Sequence, residues 1–283
     1  MKILVTGSTG FIGNNIIPIL LLKGYEVIAT SRDKEKAKSR AWYSSVTFKE
    51  FDIDKYKPET NYVDFFECPA GLIHIAWDGL PNFNSELHLT KNLPLHSFFI
   101  SNLVKNGLKN ITVTGTCLEY GLIEGELNEA MPSSPVTAYG KAKNELRLVI
   151  DELTQQYDFS FKWLRLFYVY GLGQYPSALY SQLHTAVTQQ WKTFNMSNGD
   201  QERDYLSIEK MASIIVEAAL QQKVNGIINC CSGKPIAVKQ FVTDFFKLYN
   251  YQISLNLGYY TYPDYEPFSF WGNTQKLNRI IYD

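Results

Sequence analysis

Metal-type cysteine pairs are missing from this chain. Its four cysteines, Cys68, Cys117, Cys230 and Cys231, contain no Cys-x-x-Cys spacing, and the adjacent pair is poorly placed for an ordinary disulfide. Reduced thiols are therefore expected, and no metal site. Also missing is any apolar run approaching the roughly 18–20 residues that span a bilayer, and Met1-Lys2-Ile3-Leu4-Val5 runs into Thr6-Gly7 instead of a signal-peptide core. No membrane partner and a cytoplasmic location are the expectations. With a formal net charge of −1 and only 19% charged residues, the chain has no excess of either sign, which excludes a disordered polyelectrolyte and makes nucleic acid an unexpected partner. What it does have is 283 residues, enough for one large core or two unequal lobes, and 19 Tyr, 17 Phe and 5 Trp to line a core or a ligand cleft.

Apolar periodicity alternates along the chain. Lys2 to Thr6, Glu26 to Thr30, Val46 to Phe51, Gly71 to Ala76, Ile111 to Thr114 and Phe161 to Leu166 read as strands, with helices at Phe11 to Leu22, Leu87 to Asn106 and Ala138 to Tyr157. Such alternation predicts an α/β fold with a parallel sheet covered on both faces. From Gly171 the texture turns aromatic and rich in Pro and Gln. A helix at Ile208 to Gln222 and a strand at Gly226 to Cys230 then return to the sheet, and a helix at Val238 to Asn250 precedes an irregular aromatic tail. The division expected is a dinucleotide-binding domain of residues 1–170 plus 205–231 and a smaller lobe of residues 171–204 plus 232–283.

Gly7, Gly10 and Gly13 lie three apart between the first strand and the first helix. Such a turn lets backbone N–H groups and a helix N-terminus approach a pyrophosphate, while the third glycine admits close helix packing. An NAD-selective fold places an acid at the end of the second strand, but Thr30-Ser31-Arg32 stands there. Arg32 paired with a 2′-phosphate, with Ser31 adding a hydroxyl, makes NADP the expected coenzyme and NAD the alternative. The plainer reading of Arg32 is a solvated residue opening the charged stretch that follows it.

Tyr139 and Lys143 are four apart at the start of a predicted helix and so share a face. A phenol with a pKa near 10 needs a neighbouring cation to serve as an acid–base group at neutral pH, which the ammonium supplies. Thr116 closes the fifth strand, where its hydroxyl is available to the same substrate oxygen.

These motifs, in this order, give the chain a resemblance to the extended short-chain dehydrogenase/reductases, the NAD-dependent epimerase/dehydratase family. The resemblance runs nearly end to end: Thr6 to Gly13 resembles the phosphate-binding turn, Phe51-Asp52-Ile53 the adenine-contacting segment, His74-Ile75-Ala76 the exit of the fourth strand, Asn92 the family's Asn in the long helix, and Thr116, Tyr139 and Lys143 its Ser/Thr, Tyr and Lys. Arg165 to Gly171, Gln201 to Tyr205 and Asn229 to Gly233 resemble three later family segments.

The resemblance implies a Rossmann-type doubly wound parallel sheet with a smaller C-terminal substrate lobe. It implies coenzyme contacts from Gly7, Thr9, Gly10, Phe11, Ile12, Gly13, Ser31, Arg32, Asp52, Ile53, Ala76, Trp77, Asn92, Tyr139 and Lys143. Tyr139 would exchange a proton with a sugar oxygen, Thr116 would hydrogen-bond that oxygen, and Lys143 would hold the nicotinamide ribose. Arg203 would bind a nucleotide diphosphate, its plainer reading being a surface pair with Asp204. Cys117, beside Thr116, is a candidate substrate contact, and more simply a packed thiol.

Family dehydratases carry Asp and Glu after the Thr, whereas Cys117 and Leu118 stand here, so dehydration is disfavoured. Ser31-Arg32 favours NADPH-dependent reduction of a 4-keto-6-deoxyhexose carried on dTDP, CDP or GDP, for a surface glycan such as O-antigen. A nucleotide-sugar 4-epimerase with bound NAD is the alternative, and a non-catalytic nucleotide-binding regulator a further one. Relatives dimerise through the two long helices, which implies a homodimer.

Overall fold

A computed structural model describes residues 1–282. Its first half alternates strand and helix: β1 (Lys2–Thr6), α1 (Phe11–Leu22), β2 (Glu26–Ser31), α2 (Lys34–Lys38), β3 (Thr47–Glu50), α3 (Tyr62–Phe65), β4 (Gly71–His74), α4 (Leu93–Lys105) and β5 (Asn110–Thr116). A short β6 (Gly125–Leu127), α5 (Ala138–Thr154) and β7 (Ser160–Leu166) follow. The second half carries β8 (Tyr168–Tyr170), α6 (Leu179–Thr188), β9 (Thr193–Asn195), β10 (Glu202–Ser207), α7 (Ile208–Leu220), β11 (Gly226–Cys230), β12 (Pro235–Ala237), α8 (Val238–Leu248), β13 (Ser254–Asn256), β14 (Phe270–Gly272) and α9 (Gln275–Ile281).

Seven parallel strands form one sheet in the order β11-β7-β5-β4-β1-β2-β3. This is the Rossmann-type doubly wound arrangement. The order reverses between β1 and β4, and the crevice beyond the carboxyl ends of strands at such a switch point is where ligands bind. One face packs Ile16, Ile17 and Leu20 of α1 and Met211, Ile215 and Val216 of α7 against the sheet; the other packs Phe99 and Leu103 of α4 and Leu146 and Ile150 of α5. Strands buried on both faces read as continuous apolar runs, which is why Leu4, Val5, Ile28 and Ala29 are all fully enclosed.

A third cluster lies apart from the sheet, where Leu183 of α6, Phe194 of β9 and Val242, Phe245 and Phe246 of α8 pack together. Small sheets β12-β10-β8, β13-β9 and β14-β6 tie this part to the rest.

Two expectations needed adjustment. The long helix expected from Leu87 is a π-helical turn at His88–Asn92 that passes into α4. Pro94, in the first turn of α4, has no N–H to return to the Thr90 carbonyl, and the backbone widens just before it. The tail expected to be irregular contains β14, paired with β6 from far upstream, and α9, whose Leu277 is buried in the α1/α7 core.

Candidate active site

The glycine turn is shaped by close backbone approach. Gly7 has φ +67°, and a Cβ there would sit 2.9 Å from the Ala76 nitrogen, so the turn lies directly against the exit of β4. At Gly13 a Cβ would overlap the Gly7 carbonyl oxygen, which lets α1 start immediately under the turn. Gly10 is the N-cap of α1 and offers no side-chain cap, and the first turn, Phe11-Ile12-Gly13, holds no acid. The positive end of the helix is thus open to an anion. Thr9 Oγ1 lies 2.9 Å from Ser31 Oγ, binding the turn to the end of β2, and Arg40 donates to the Thr9 carbonyl at 2.9 Å.

Arg32 does not stand free. Both of its terminal nitrogens reach Asp78, at 3.1 and 3.3 Å, and Asp52 and Asp54 add to the negative field around it. Asp52 caps the short turn at Ile53–Lys55, Ile53 packs at the edge of the α4/α5 core, and Asp54 pairs with Lys91. Asn92 donates to the Asp78 carbonyl at 2.9 Å, holding the loop after β4 against the π-helical turn.

Beneath the turn lies a row of rings. Ile75 and Ala76 N–H donate to Thr6 Oγ1, whose hydroxyl lies 2.8 Å from His74 Nδ1; His74 Nε2 lies 2.7 Å from His96 Nδ1. Burial pushes His74 down to about 3 and His96 well below the usual histidine range, so neither ring is a proton donor near neutrality. Trp77 stacks on His96 with ring centres 4.7 Å apart and donates its indole N–H to His88 Nδ1 at 3.1 Å.

Thr116, Tyr139 and Lys143 converge on this point. Thr137 caps α5 by accepting from Gly140 N–H at 3.0 Å, and Tyr139 N–H donates to the Phe83 carbonyl at 2.8 Å, so the first turn of the helix is fixed at both ends of the phenol. One turn later Lys143, buried, donates to the Thr114 carbonyl at 2.8 Å and stands 4.1 Å over the Trp77 ring. All three line one cleft of about 560 Å³ together with Ile12, Trp77 and Cys117. Burial pushes the Lys143 ammonium down to about 7, opposed by the charge of Glu119, and pushes the Tyr139 phenol up. Cys117 lines the cleft as a buried thiol whose pKa is pushed up by burial, so it stays protonated and apolar.

Arg203 and Asp204 differ from expectation. Asp204 is buried and accepts from Ser232, Gly233 and Gly272, so the surface pair does not exist. Arg203 is also buried; it donates to the carbonyls of Glu202 and Phe268 and, at 2.9 Å, to the Glu266 carboxylate, and lies over the Phe270 ring. Glu266, not Arg203, faces the cleft, and a diphosphate reaching the guanidinium would have to displace that carboxylate. Beyond it the cleft is aromatic, with Tyr205 stacked on Phe241 at 4.3 Å and Tyr170 edge-on to Phe241.

Sequence reasoning left Glu119 without a role. It is fully buried, accepts from Thr116 N–H, Trp163 Nε1–H and Arg165 Nε–H, and completes a capping box with Thr116. The Thr-x-x-Glu spacing was the available signal. Among the described residues there is no metal-type cluster and no helix long and apolar enough to cross a membrane, and all four cysteines are free.

The model of the NAD dependent epimerase/dehydratase family matches residues 3–231, which include every group in this cleft up to Tyr205. The chain belongs to that family. Within it, the chain is similar to the dTDP-6-deoxy-L-talose 4-dehydrogenase (NAD(+)) of Aggregatibacter actinomycetemcomitans, 29% identical over 273 residues, with 96% of this chain and 99% of that protein covered. The GDP-6-deoxy-D-talose 4-dehydrogenase of the same organism is 30% identical over 244 residues, covering 85% and 77%. Among solved structures, the UDP-glucuronic acid 4-epimerase of Bacillus cereus, in complex with UDP-glucuronic acid and NAD, superimposes with a TM-score of 0.84 at 22% identity over 99% of this chain and 92% of that one. That likeness is one of fold. The epimerase/dehydratase fold thus accounts for the sheet, and the 4-dehydrogenase relatives bear on the chemistry.

Proposed function

We propose that this protein transfers a hydride at C4 of a nucleotide-linked 6-deoxyhexose, interconverting the 4-keto and 4-hydroxy sugars, with reduction as the biosynthetic direction. The observation that carries the reading is the convergence of Thr116, Tyr139 and Lys143 in one cleft of about 560 Å³ that the Tyr205–Phe241 stack also lines, which offers polar groups for a sugar and aromatic faces for a nucleobase. Likeness to two 6-deoxytalose 4-dehydrogenases supports the same position of attack. Leu80, Phe83, Leu118 and Phe167 give the sugar end an apolar wall, which suits a deoxygenated carbon.

A nicotinamide dinucleotide supplies the hydride when bound; the uncapped α1 terminus and the cradle at Gly7 and Gly13 fit its pyrophosphate, with Thr9, Phe11 and Ile12 beside it. Tyr139 passes a proton to or from the C4 oxygen, Thr116 Oγ1 holds that oxygen, and the Lys143 ammonium favours the phenolate by its charge. Of the two coenzymes, NAD(H) fits the charges better. NADP(H), favoured by Ser31-Arg32 in the sequence, requires Arg32 to leave Asp78 and a 2′-phosphate to settle among Asp78, Asp52 and Asp54. Asp52 and Ile53 would hold the adenine, and Ala76, Trp77 and Asn92 would hold the ribose side, as the family resemblance implies.

The test is oxidation of NADH and of NADPH by dTDP-, CDP- and GDP-4-keto-6-deoxyhexoses. Turnover of one sugar, faster with NADH, is the expected result. No oxidation with any of them, together with coenzyme that co-purifies and interconversion of C4 epimers without added NAD, would replace this reading with a 4-epimerase.

The cytoplasm fits four free cysteines, which persist as thiols in a reducing compartment. We also propose a homodimer through α4 and α5, supported by the exposed Phe98 of α4 and Leu148 of α5. Light scattering is expected to give twice the chain mass, and the monomer mass for Phe98→Glu; a wild-type monomer would remove the proposal.

A further inference from the structure

We propose that Glu119 is a positioning residue for this site: through its hydrogen bond to the Thr116 backbone it fixes the turn that presents the threonine hydroxyl, and its charge, held against the same Trp163 ring that Lys143 approaches at 5.9 Å, acts on that ammonium. The inference rests on the dehydrogenase reading above for what Thr116 and Lys143 do, but not for its decisive measurement.

The carboxylate is built into the sheet. Gly115 stands opposite Arg165 and Thr116 opposite Leu166 in the parallel β5/β7 register. At Gly115 a Cβ would overlap both the Trp163 indole nitrogen and the Glu119 carboxylate oxygen, so only a glycine lets these groups close over the strand. The carboxylate then receives Thr116 N–H at 2.8 Å, the Trp163 indole N–H at 2.9 and 3.0 Å, and Arg165 Nε–H at 2.8 Å. Arg165 continues to Ser133 at 2.5 Å and lies over the Tyr120 ring. A buried carboxylate is costly unless it is paired and hydrogen-bonded on every side, and these donors fix where it sits. Thr116 Oγ1 accepts from Leu118 N–H at 3.2 Å, which leaves its O–H free to donate to a ligand in the cleft that Thr116 lines.

Charge is the part a neutral acceptor cannot replace. The groups around the Lys143 ammonium are Tyr139 on its own helix, Thr114 and Trp163 on the neighbouring strands, His74 and Trp77 at the β4 exit, and His96 on α4. The histidines are neutral, and the direct partners are a carbonyl and aromatic rings. Glu119 is the anion whose field favours the ammonium, against the burial that opposes it. Arg165 is the cation in direct contact with this carboxylate, at 2.8 Å; Lys143 feels it only through its field, which adds to the burial that pushes the Tyr139 phenol up. A purely structural cap would work equally well with glutamine; a charge acting on Lys143 would not.

The cation–π contact between Lys143 and Trp77 supplies a readout that needs no substrate. The emission difference between the full-length protein and its Trp77→Phe variant, both carrying His88→Gln because His88 accepts the Trp77 indole N–H, is followed against pH and changes as Lys143 loses its proton, with a midpoint near 7. Glu119→Gln combined with Arg165→Met removes both charges, leaves no buried arginine unpaired and keeps an acceptor for Thr116 N–H. In that background the midpoint is expected to fall by about one pH unit or more, a tenfold loss of proton affinity. Glu119→Asp retains the charge but withdraws it from Thr116; its midpoint is expected to stay in place. With a working substrate, both variants are expected to lose kcat at least about tenfold at little change in KM, and only the first to shift the pH profile. An unmoved midpoint in Glu119→Gln/Arg165→Met, or in Glu119→Gln alone if the double variant is unfolded at 25 °C, overturns the proposal. Failure of every nucleotide sugar to react would instead overturn the dehydrogenase reading and leave the fluorescence result standing.

Discussion

Replacing Tyr139 by phenylalanine is expected to lower turnover by about 10²–10⁴-fold, the range typical of a positioned general acid–base group, while coenzyme binding stays nearly intact. The substitution removes one oxygen and conserves shape, so the packing of the ring against His88, Phe83 and Trp77, and the bond from its backbone N–H to Phe83, are retained. What disappears is, among the described residues, the only phenol on the cleft wall that shares a helix with Lys143. The ammonium remains over Trp77 and against Thr114, with no acid–base partner left to tune. Steady-state kinetics together with calorimetric titration of the coenzyme separate the two effects. Wild-type turnover in the variant would remove Tyr139 from the proposed proton transfer, and a parallel loss of coenzyme binding would show that the residue supports the site's shape.

The second large effect is expected at Gly13. An alanine methyl there would overlap the Gly7 carbonyl oxygen and approach the Ser8 Cα at 2.9 Å, and both obstacles are backbone. Neither can rotate aside as a side chain would, so α1 and the turn must separate. Overpacking of this kind costs about 1–3 kcal/mol. Expressed in the affinity for a dinucleotide whose pyrophosphate occupies the turn, this corresponds to a loss of roughly 5- to 150-fold. Titration of Gly13→Ala with NADH tests it, with circular dichroism as the control for folding. A folded variant with unchanged affinity would mean that the dinucleotide does not use this turn.

The features legible in the sequence were those carried by local periodicity or by spacing inside one element. β1, its glycine turn and α1 fall within a single stretch, and Tyr139 and Lys143 are neighbours by helical geometry before any tertiary contact forms. Features that depend on a distant partner were not legible. β14 pairs with β6, which lies more than a hundred residues upstream, and strands of three residues show no pattern of their own. Arg203 meets Glu266 and Arg32 meets Asp78 across similarly unrelated parts of the chain, and the identity of an arginine says nothing about which anion reaches it first. The π-helical turn sits between the two cases: Pro94 is visible in the sequence, but its consequence depends on the helix being forced to continue past it.

The closure of Trp163 and Glu119 over Gly115 also constrains how this protein can drift. Gly115, Glu119, Trp163 and Arg165 occupy one small volume in which each residue sets the room or the charge available to the others. A side chain at Gly115 produces an overlap, and neutralising Glu119 or Arg165 alone strands the other's charge, so an evolutionary path through this part of the sheet favours altering several positions nearly at once. Relatives are therefore expected to carry either the whole set or a wholly different, apolar one, with few mixtures between them.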